Sequence, residues 1–274
     1  TEYDQAVQYF TEALELSDGW VQNVDYDMNY YLAAAYRKNG QPAEAKKVYD
    51  AILGLKPEEK DAYFLRGSAE LELGDYESAK ADFDKAISMD PKNYDRLIEI
   101  YEALADYGYR EVGQEYLQNV LNTEKKLDAY DSGRIYYYLG DYQKAYLALE
   151  EAKGKGGVDS YLYLGKAYAA TGDYNYASSV YSNYLSKQGP DAEIYNQLGL
   201  CEMAKKDYQK ALEAFQAGKQ IEGNSLMQTL SFNEIVAYEY LQDYQKAAVL
   251  LKAYLQNYPD DQAAIREQQF LSTR

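Results

Sequence analysis

Tyr130, Arg134 and Tyr137 stand at i, i+4 and i+7, a spacing that gathers three side chains on one stripe of a helix. A guanidinium set between phenol rings is chemistry for recognition, because its planar fork takes a carboxylate through two parallel hydrogen bonds. Lys166 follows 32 residues after Arg134, with Tyr163 beside it, and Asn196 falls on the next recurrence of that spacing. The chain carries 28 Lys+Arg against 45 Asp+Glu, a formal charge of −17, so two neighbouring cations on an acidic wall make a seat for a carboxylate. The alternative is that Arg134 and Lys166 balance nearby acids such as Asp131 and Asp159.

Other chemistry is poorly supplied. With no His and a single Cys201, the chain has no material for a Cys/His zinc site, an imidazole base or an internal disulfide. DYDMNY (25–30) starts like a calcium loop, but Tyr30 stands where glycine is needed and Tyr36 where glutamate is needed. KGGVDS (155–160) lacks the pairing of Lys with Ser/Thr that a phosphate loop requires, and is expected to be a flexible linker. Cys201, near Met203 and with no base beside it, is expected to be a quiet packed thiol. No catalytic, cofactor-binding or metal-ligating residue is therefore assigned, and the chain is not expected to be an enzyme. Its acidity argues against a nucleic-acid or anionic-membrane partner, and its apolar runs are too short to span a bilayer. Thr1 stands where an initiator Met is expected, which suggests that the natural start and any targeting information precede it.

The elements that must position these residues repeat. GDYESAKADFDKA (74–86), GDYQKAYLALEEA (140–152), GDYNYASSVYSNY (172–184), KDYQKALEAFQAG (206–218) and QDYQKAAVLLKAY (242–254) align without gaps, their starts 66, 32, 34 and 36 residues apart. GQPAEAKKVYDAI (40–52), GYREVGQEYLQNV (108–120) and EYDQAVQYFTEA (2–13) fall on the same grid. Upstream of each lies a second segment of helical period, such as Tyr161, Leu164, Gly165 and Tyr168 or Tyr195, Leu198, Gly199 and Glu202. Each unit is thus a pair of amphipathic helices. Gly40, Gly74, Gly108, Gly140 and Gly172 mark the junction, where a left-handed backbone suits glycine. Asp75, Asp141, Asp173, Asp207 and Asp243 are placed to cap the second helix, and Pro57, Pro91 and Pro259 to end it.

The second helix holds a small residue at Ala6, Ala45, Ala79, Gly113, Ala145, Ala177, Ala211 and Ala247, four places before a bulky one such as Phe83, Leu149, Tyr181 or Phe215. The first helix has its own at Ala33, Gly67, Gly133, Gly165 and Gly199. Small against large predicts a close crossing. Tyr101 and Ile235 break the first-helix rule, and DGWVQNVD (18–25) reads as an insertion. Of the 34 tyrosines, Tyr3, Tyr76, Tyr142, Tyr174, Tyr208 and Tyr244 share one repeat position and are expected to be structural.

At these residues the sequence resembles the tetratricopeptide repeat family, over nearly the whole chain. The resemblance implies an all-α, right-handed superhelical solenoid of helix-turn-helix repeats: one domain, 1–274, with a half-repeat at 1–17, repeats starting near 26, 60, 94, 126, 158, 192 and 228, and a terminal half-repeat at 262–274. In that family the first helices line an inner groove. Here that face holds Tyr30, Tyr31, Phe64, Tyr130, Arg134, Tyr137, Tyr163, Lys166 and Asn196, with Phe232 on it as well, and a groove of amphipathic rings suits an extended peptide. The clamp by which eukaryotic members hold chaperone tails needs a Lys and an Asn four apart, which Tyr130/Arg134, Leu162/Lys166 and Asn196/Leu200 do not reproduce. The expected function is a non-catalytic module that binds a peptide or protein segment in the groove or scaffolds an assembly, with a bacterial origin. A different reading makes it the repeat region of a sensor, similar to bacterial peptide-pheromone receptors, or of a surface lipoprotein, whose N-terminal part lies outside this sequence. The compartment is either cytoplasm or the surface of a Gram-positive bacterium. The half-repeats at both ends offer unstacked faces through which copies could pair.

Overall fold

The computed structural model describes residues 2–17 and 23–272, which form helices and turns with no strand among the described residues. They fall into two compact units, residues 1–125 and 126–274. The first holds α1 (Glu2–Leu16), α2 (Asn23–Lys38), α3 (Pro42–Leu55), α4 (Lys60–Glu72), α5 (Tyr76–Met89), α6 (Tyr94–Asp106) and α7 (Arg110–Thr123). The second holds α8 (Ala129–Tyr138), α9 (Tyr142–Glu151), α10 (Gly157–Ala170), α11 (Tyr174–Lys187), α12 (Ala192–Ala204), α13 (Tyr208–Lys219), α14 (Met227–Tyr240), α15 (Tyr244–Asn257) and α16 (Gln262–Leu271). Residues 18–22 of the expected insertion lie outside the described residues, and Asn23–Asp25 begin α2.

The junctions follow from local chemistry. Gly40, Gly74, Gly108, Gly140 and Gly172 take φ between 71° and 87°. Where the last two full repeats lack that glycine, Lys206 (φ 64°) and Gln242 (φ 63°) adopt the same left-handed turn. The side chains of Asp75, Asp141, Asp173, Asp207 and Asp243 each accept from the backbone N–H three residues on, satisfying a donor that the helix start leaves open. Lys56, Asp90 and Tyr258 cap α3, α5 and α15, each just before its proline.

Packing within each hairpin is the crossing of small on large. A Cβ on Gly67 would stand 2.8 Å from Cε1 of Phe83, and one on Gly133 2.5 Å from Cγ of Leu149. On Gly165 it would meet Tyr181 Cζ at 2.2 Å, and on Gly199 Phe215 Cε1 at 2.3 Å. These bulky residues are buried to within a per cent of completely, and each lies in a core shared with the following hairpin. The α6–α7 hairpin uses the same fit reversed: Tyr101 supplies the ring from the first helix, and Gly113 of the second helix receives it.

One expectation needs correcting. Residues 155–160 are not a loose linker, because α10 already starts at Gly157. Ser160, fully buried, accepts from the Gly154 N–H at 3.1 Å and donates to the Gly157 carbonyl at 2.9 Å. Gly156 abuts the Tyr130 ring so closely that a Cβ would fall 2.5 Å from Cε2. At the other end of the chain order, α1 carries no buried residue, with Tyr9 and Leu16 open to solvent.

Candidate functional site

In the first unit the expected groove residues are Tyr30 and Tyr31 on α2 and Phe64 on α4. Tyr31 is exposed and stacks on Phe10 at 5.7 Å. Tyr30 is half-buried; its ring lies 6.3 Å from that of Tyr49, and its hydroxyl is buried without a hydrogen-bond partner. Burial, with the charges of Glu59 and Asp61 added, raises the pKa of that phenol above its ordinary range. Phe64 sits between the Phe83 ring at 6.1 Å and the guanidinium of Arg96, whose Cζ lies 4.0 Å above it. Arg96 is held there by Asp61 at 2.8 Å and Glu99 at 3.0 Å.

In the second unit, Arg134 is almost wholly buried. Its Nη2 lies 2.5 Å from Oδ1 of Asp131, one turn back on α8, and its guanidinium covers the Tyr130 ring at 4.3 Å. Tyr137, Tyr138 and Tyr163 form one cluster, with centroids 5.5 to 5.9 Å apart in edge-on contacts. The hydroxyls of Tyr138 and Tyr163 are 3.0 Å apart. Lys166, one turn along α10 from Tyr163, reaches Glu193 of α12 at 3.5 Å, and Glu193 also accepts from Gln197 at 2.9 Å. Asn196 is buried and accepts from the side-chain amide of Asn233 at 2.9 Å.

The structure therefore brings Tyr130 to Arg134 and Tyr137 to Tyr163. It gives Arg134 and Lys166 separate carboxylate partners, Asp131 and Glu193. Of the nine expected residues Tyr31 alone is exposed, Arg134 and Asn196 are buried, and the rest are half-buried. Sequence reasoning missed the pairing of Arg37 with Glu72 in the first unit. A signal for it existed: the two are 35 residues apart, so opposite charges occupy one repeat position in successive hairpins, as do Asp61 and Arg96.

Burial pushes the Cys201 thiol up to about 12, with the Glu202 charge assisting, so it is held as a protonated side chain. Among the described residues no group of three or more His, Cys, Asp or Glu side chains is placed to hold a metal ion, and no helix is long and apolar enough to cross a membrane.

Sequence profiles described as tetratricopeptide repeat match residues 30–94, 162–225 and 232–261. The chain belongs to the tetratricopeptide repeat family. Among solved structures, a tetratricopeptide repeat protein from Parabacteroides merdae is similar with a TM-score of 0.55 and 15% identity, over 86% of this chain and 92% of that one. A chain of the APC/C hetero-tetramer Cut9-Hcn1 gives 0.53 and 17%, over 98% of this chain and 52% of that one. PilW, a widely conserved type IV pilus biogenesis factor, gives 0.50 and 16%, over 92% and 99%. At such identities the likeness is one of fold. The FK506-binding protein-like protein of Mus musculus is 42% identical over 62 residues, 23% of this chain, and the match spans only 18% of that relative. Tetratricopeptide repeats make a generally non-catalytic fold for protein interaction, and membership of the family makes this chain a protein-interaction module in that general sense.

Proposed function

We propose that this tetratricopeptide repeat protein binds an extended segment of a partner protein along the face of its first helices, without catalysing a reaction. In the first unit that face holds Tyr30, Tyr31 and Phe64. In the second it holds Tyr130, Arg134, Tyr137, Tyr163, Lys166 and Asn196. The observation that supports this reading best is the half-open tyrosine surface of Tyr137, Tyr138 and Tyr163, with Lys166 at its edge. Rings of this kind give a ligand large contact area with little side-chain entropy to lose. Arg134, on the same helix as Tyr137, is stacked on Tyr130 and paired with Asp131.

The test is selection of randomised peptides on the purified chain, followed by titration against a Tyr163→Ala, Lys166→Ala double variant. Binding that falls at least tenfold in the double variant, with the helical circular dichroism unchanged, supports the reading. A chain that enriches no peptide defeats it.

A further inference from the structure

Between α2, α4 and the end of α6, all in the first unit, lies a cleft of about 810 Å³. Tyr31 and Tyr107 stand at its rim, 61% and 47% exposed, and Lys38 lies beside them. Tyr49 and the Arg37–Glu72 pair form the floor. That pair has an uneven geometry: Nε and Nη2 of Arg37 both donate to Oε1 of Glu72, at 2.8 and 2.5 Å. Oε2 of the carboxylate is left outside it, the Tyr49 phenol also hydrogen-bonds to Arg37, and both side chains keep part of their surface open, 20% for Glu72 and 27% for Arg37.

A neutral pair that leaves part of a guanidinium and one carboxylate oxygen open to the same cleft selects among ligands. An incoming carboxylate would meet Glu72, and an incoming ammonium would meet Arg37 and Lys38. A primary carboxamide satisfies both, its oxygen accepting from the guanidinium and its NH₂ donating to Oε2. A side chain projecting from an extended peptide can enter such a cleft between the two tyrosines. The neighbouring part of that peptide would lie against the faces of Tyr31 and Tyr107.

Resting on the peptide-binding reading above, we propose that this cleft is a specificity pocket for an Asn or Gln side chain of the bound segment, read by Arg37 and Glu72, with an adjacent aromatic or aliphatic residue held by Tyr31 and Tyr107.

The test uses the full chain and a randomised nine-residue peptide library. Enriched peptides are synthesised and titrated against the unmodified chain, Glu72→Gln and Tyr31→Ala. The expected result is a shared Asn or Gln whose replacement by Asp or Glu weakens binding about tenfold. Glu72→Gln should weaken the amide peptide by a similar factor while leaving the acidic version no weaker, because the repulsion it met is gone. Tyr31→Ala, at an exposed site, should weaken binding without altering the fold. Enriched peptides that lack an amide, or that ignore both substitutions, would overturn the pocket while leaving the interaction reading standing. Enriched peptides that carry a carboxylate at that place and bind the unmodified chain more tightly than their amide versions would overturn it too, by making the ligand an acid. No enrichment at all would remove both.

Discussion

Gly113 receives the ring of Tyr101: a Cβ at Gly113 would lie 2.9 Å from Cδ2 of that ring and 3.2 Å from the Tyr101 Cα. Every other full hairpin carries Ala at the place of Gly113, so the extra space given up there matches the extra bulk on the facing helix. Gly113→Ala should destabilise the protein by about 1–3 kcal/mol through overpacking. Tyr101→Ala should cost about 3–5 kcal/mol through the cavity it leaves. The double variant should be more stable than the sum predicts by about 1 kcal/mol or more, measured by urea unfolding followed by circular dichroism. Additive losses would show that the two residues do not share the crossing.

A pair of glycine substitutions separates packing from backbone propensity. A Cβ on Gly165 would collide with the Tyr181 ring, whereas nothing lies within 4 Å of a Cβ on Gly54. Both are helical, so alanine improves the local backbone by about 0.5–1 kcal/mol at either place. Gly54→Ala should keep that gain. Gly165→Ala should lose it and more, and unfold at lower urea than the unmodified chain.

The junctions at Lys206 and Gln242 hold side-chain-bearing residues where five other hairpins use glycine. The left-handed conformation costs such a residue about 1 kcal/mol. Lys206→Gly and Gln242→Gly should each raise stability by about that amount, less the entropy that glycine adds to the unfolded chain. Gly74→Ala should do the opposite. Thermal unfolding midpoints of the three variants check the sign.

Stability should also depend on pH through Glu70. This carboxyl is almost completely buried on α4, and burial, reinforced by the Asp82 charge, raises its pKa from 4.5 to about 7 against the opposing pull of Lys46. The folded chain then binds a proton there more tightly than the unfolded chain does. Its contribution is therefore most favourable below pH 4.5 and declines as pH rises from 4.5 to 7. Glu70→Gln should flatten that part of the stability profile and raise the unfolding midpoint at pH 8. Asp261 works the other way: the Tyr254 hydroxyl and the Ala264 and Ala263 N–H groups hold it below 3.8, so its contribution is lost only in acid. A Glu70→Gln profile parallel to that of the unmodified chain would refute the assignment.

Most of the hairpin architecture was legible in the linear chain because it rests on local, periodic rules. Left-handed glycines, capping aspartates and the small-to-large crossing recur at a fixed spacing, so one hairpin predicts the next. The reversed fit of Tyr101 on Gly113 was also present in those letters, but its meaning depends on facing helices and emerges only when both are placed. The linker expected at 155–160 failed for a related reason: Ser160 and the Tyr130 ring, one nearby and one more than twenty residues back, turn a glycine-rich run into a packed helix start.

What the sequence by itself determined is the family and its hairpin repeat, with Tyr130, Arg134, Tyr137, Tyr163, Lys166 and Asn196 expected on one face of the first helices. Only the tertiary structure decided what each side chain has left to offer. Arg134 turns to Asp131 and Tyr130, Lys166 to Glu193 and Asn196 to Asn233, while Arg37 and Glu72 meet across two hairpins at the floor of a cleft. Periodicity assigns a residue to a face. Which neighbour its charge or hydrogen bonds meet depends on rotamers and burial across successive hairpins, and those exist only once the chain has packed.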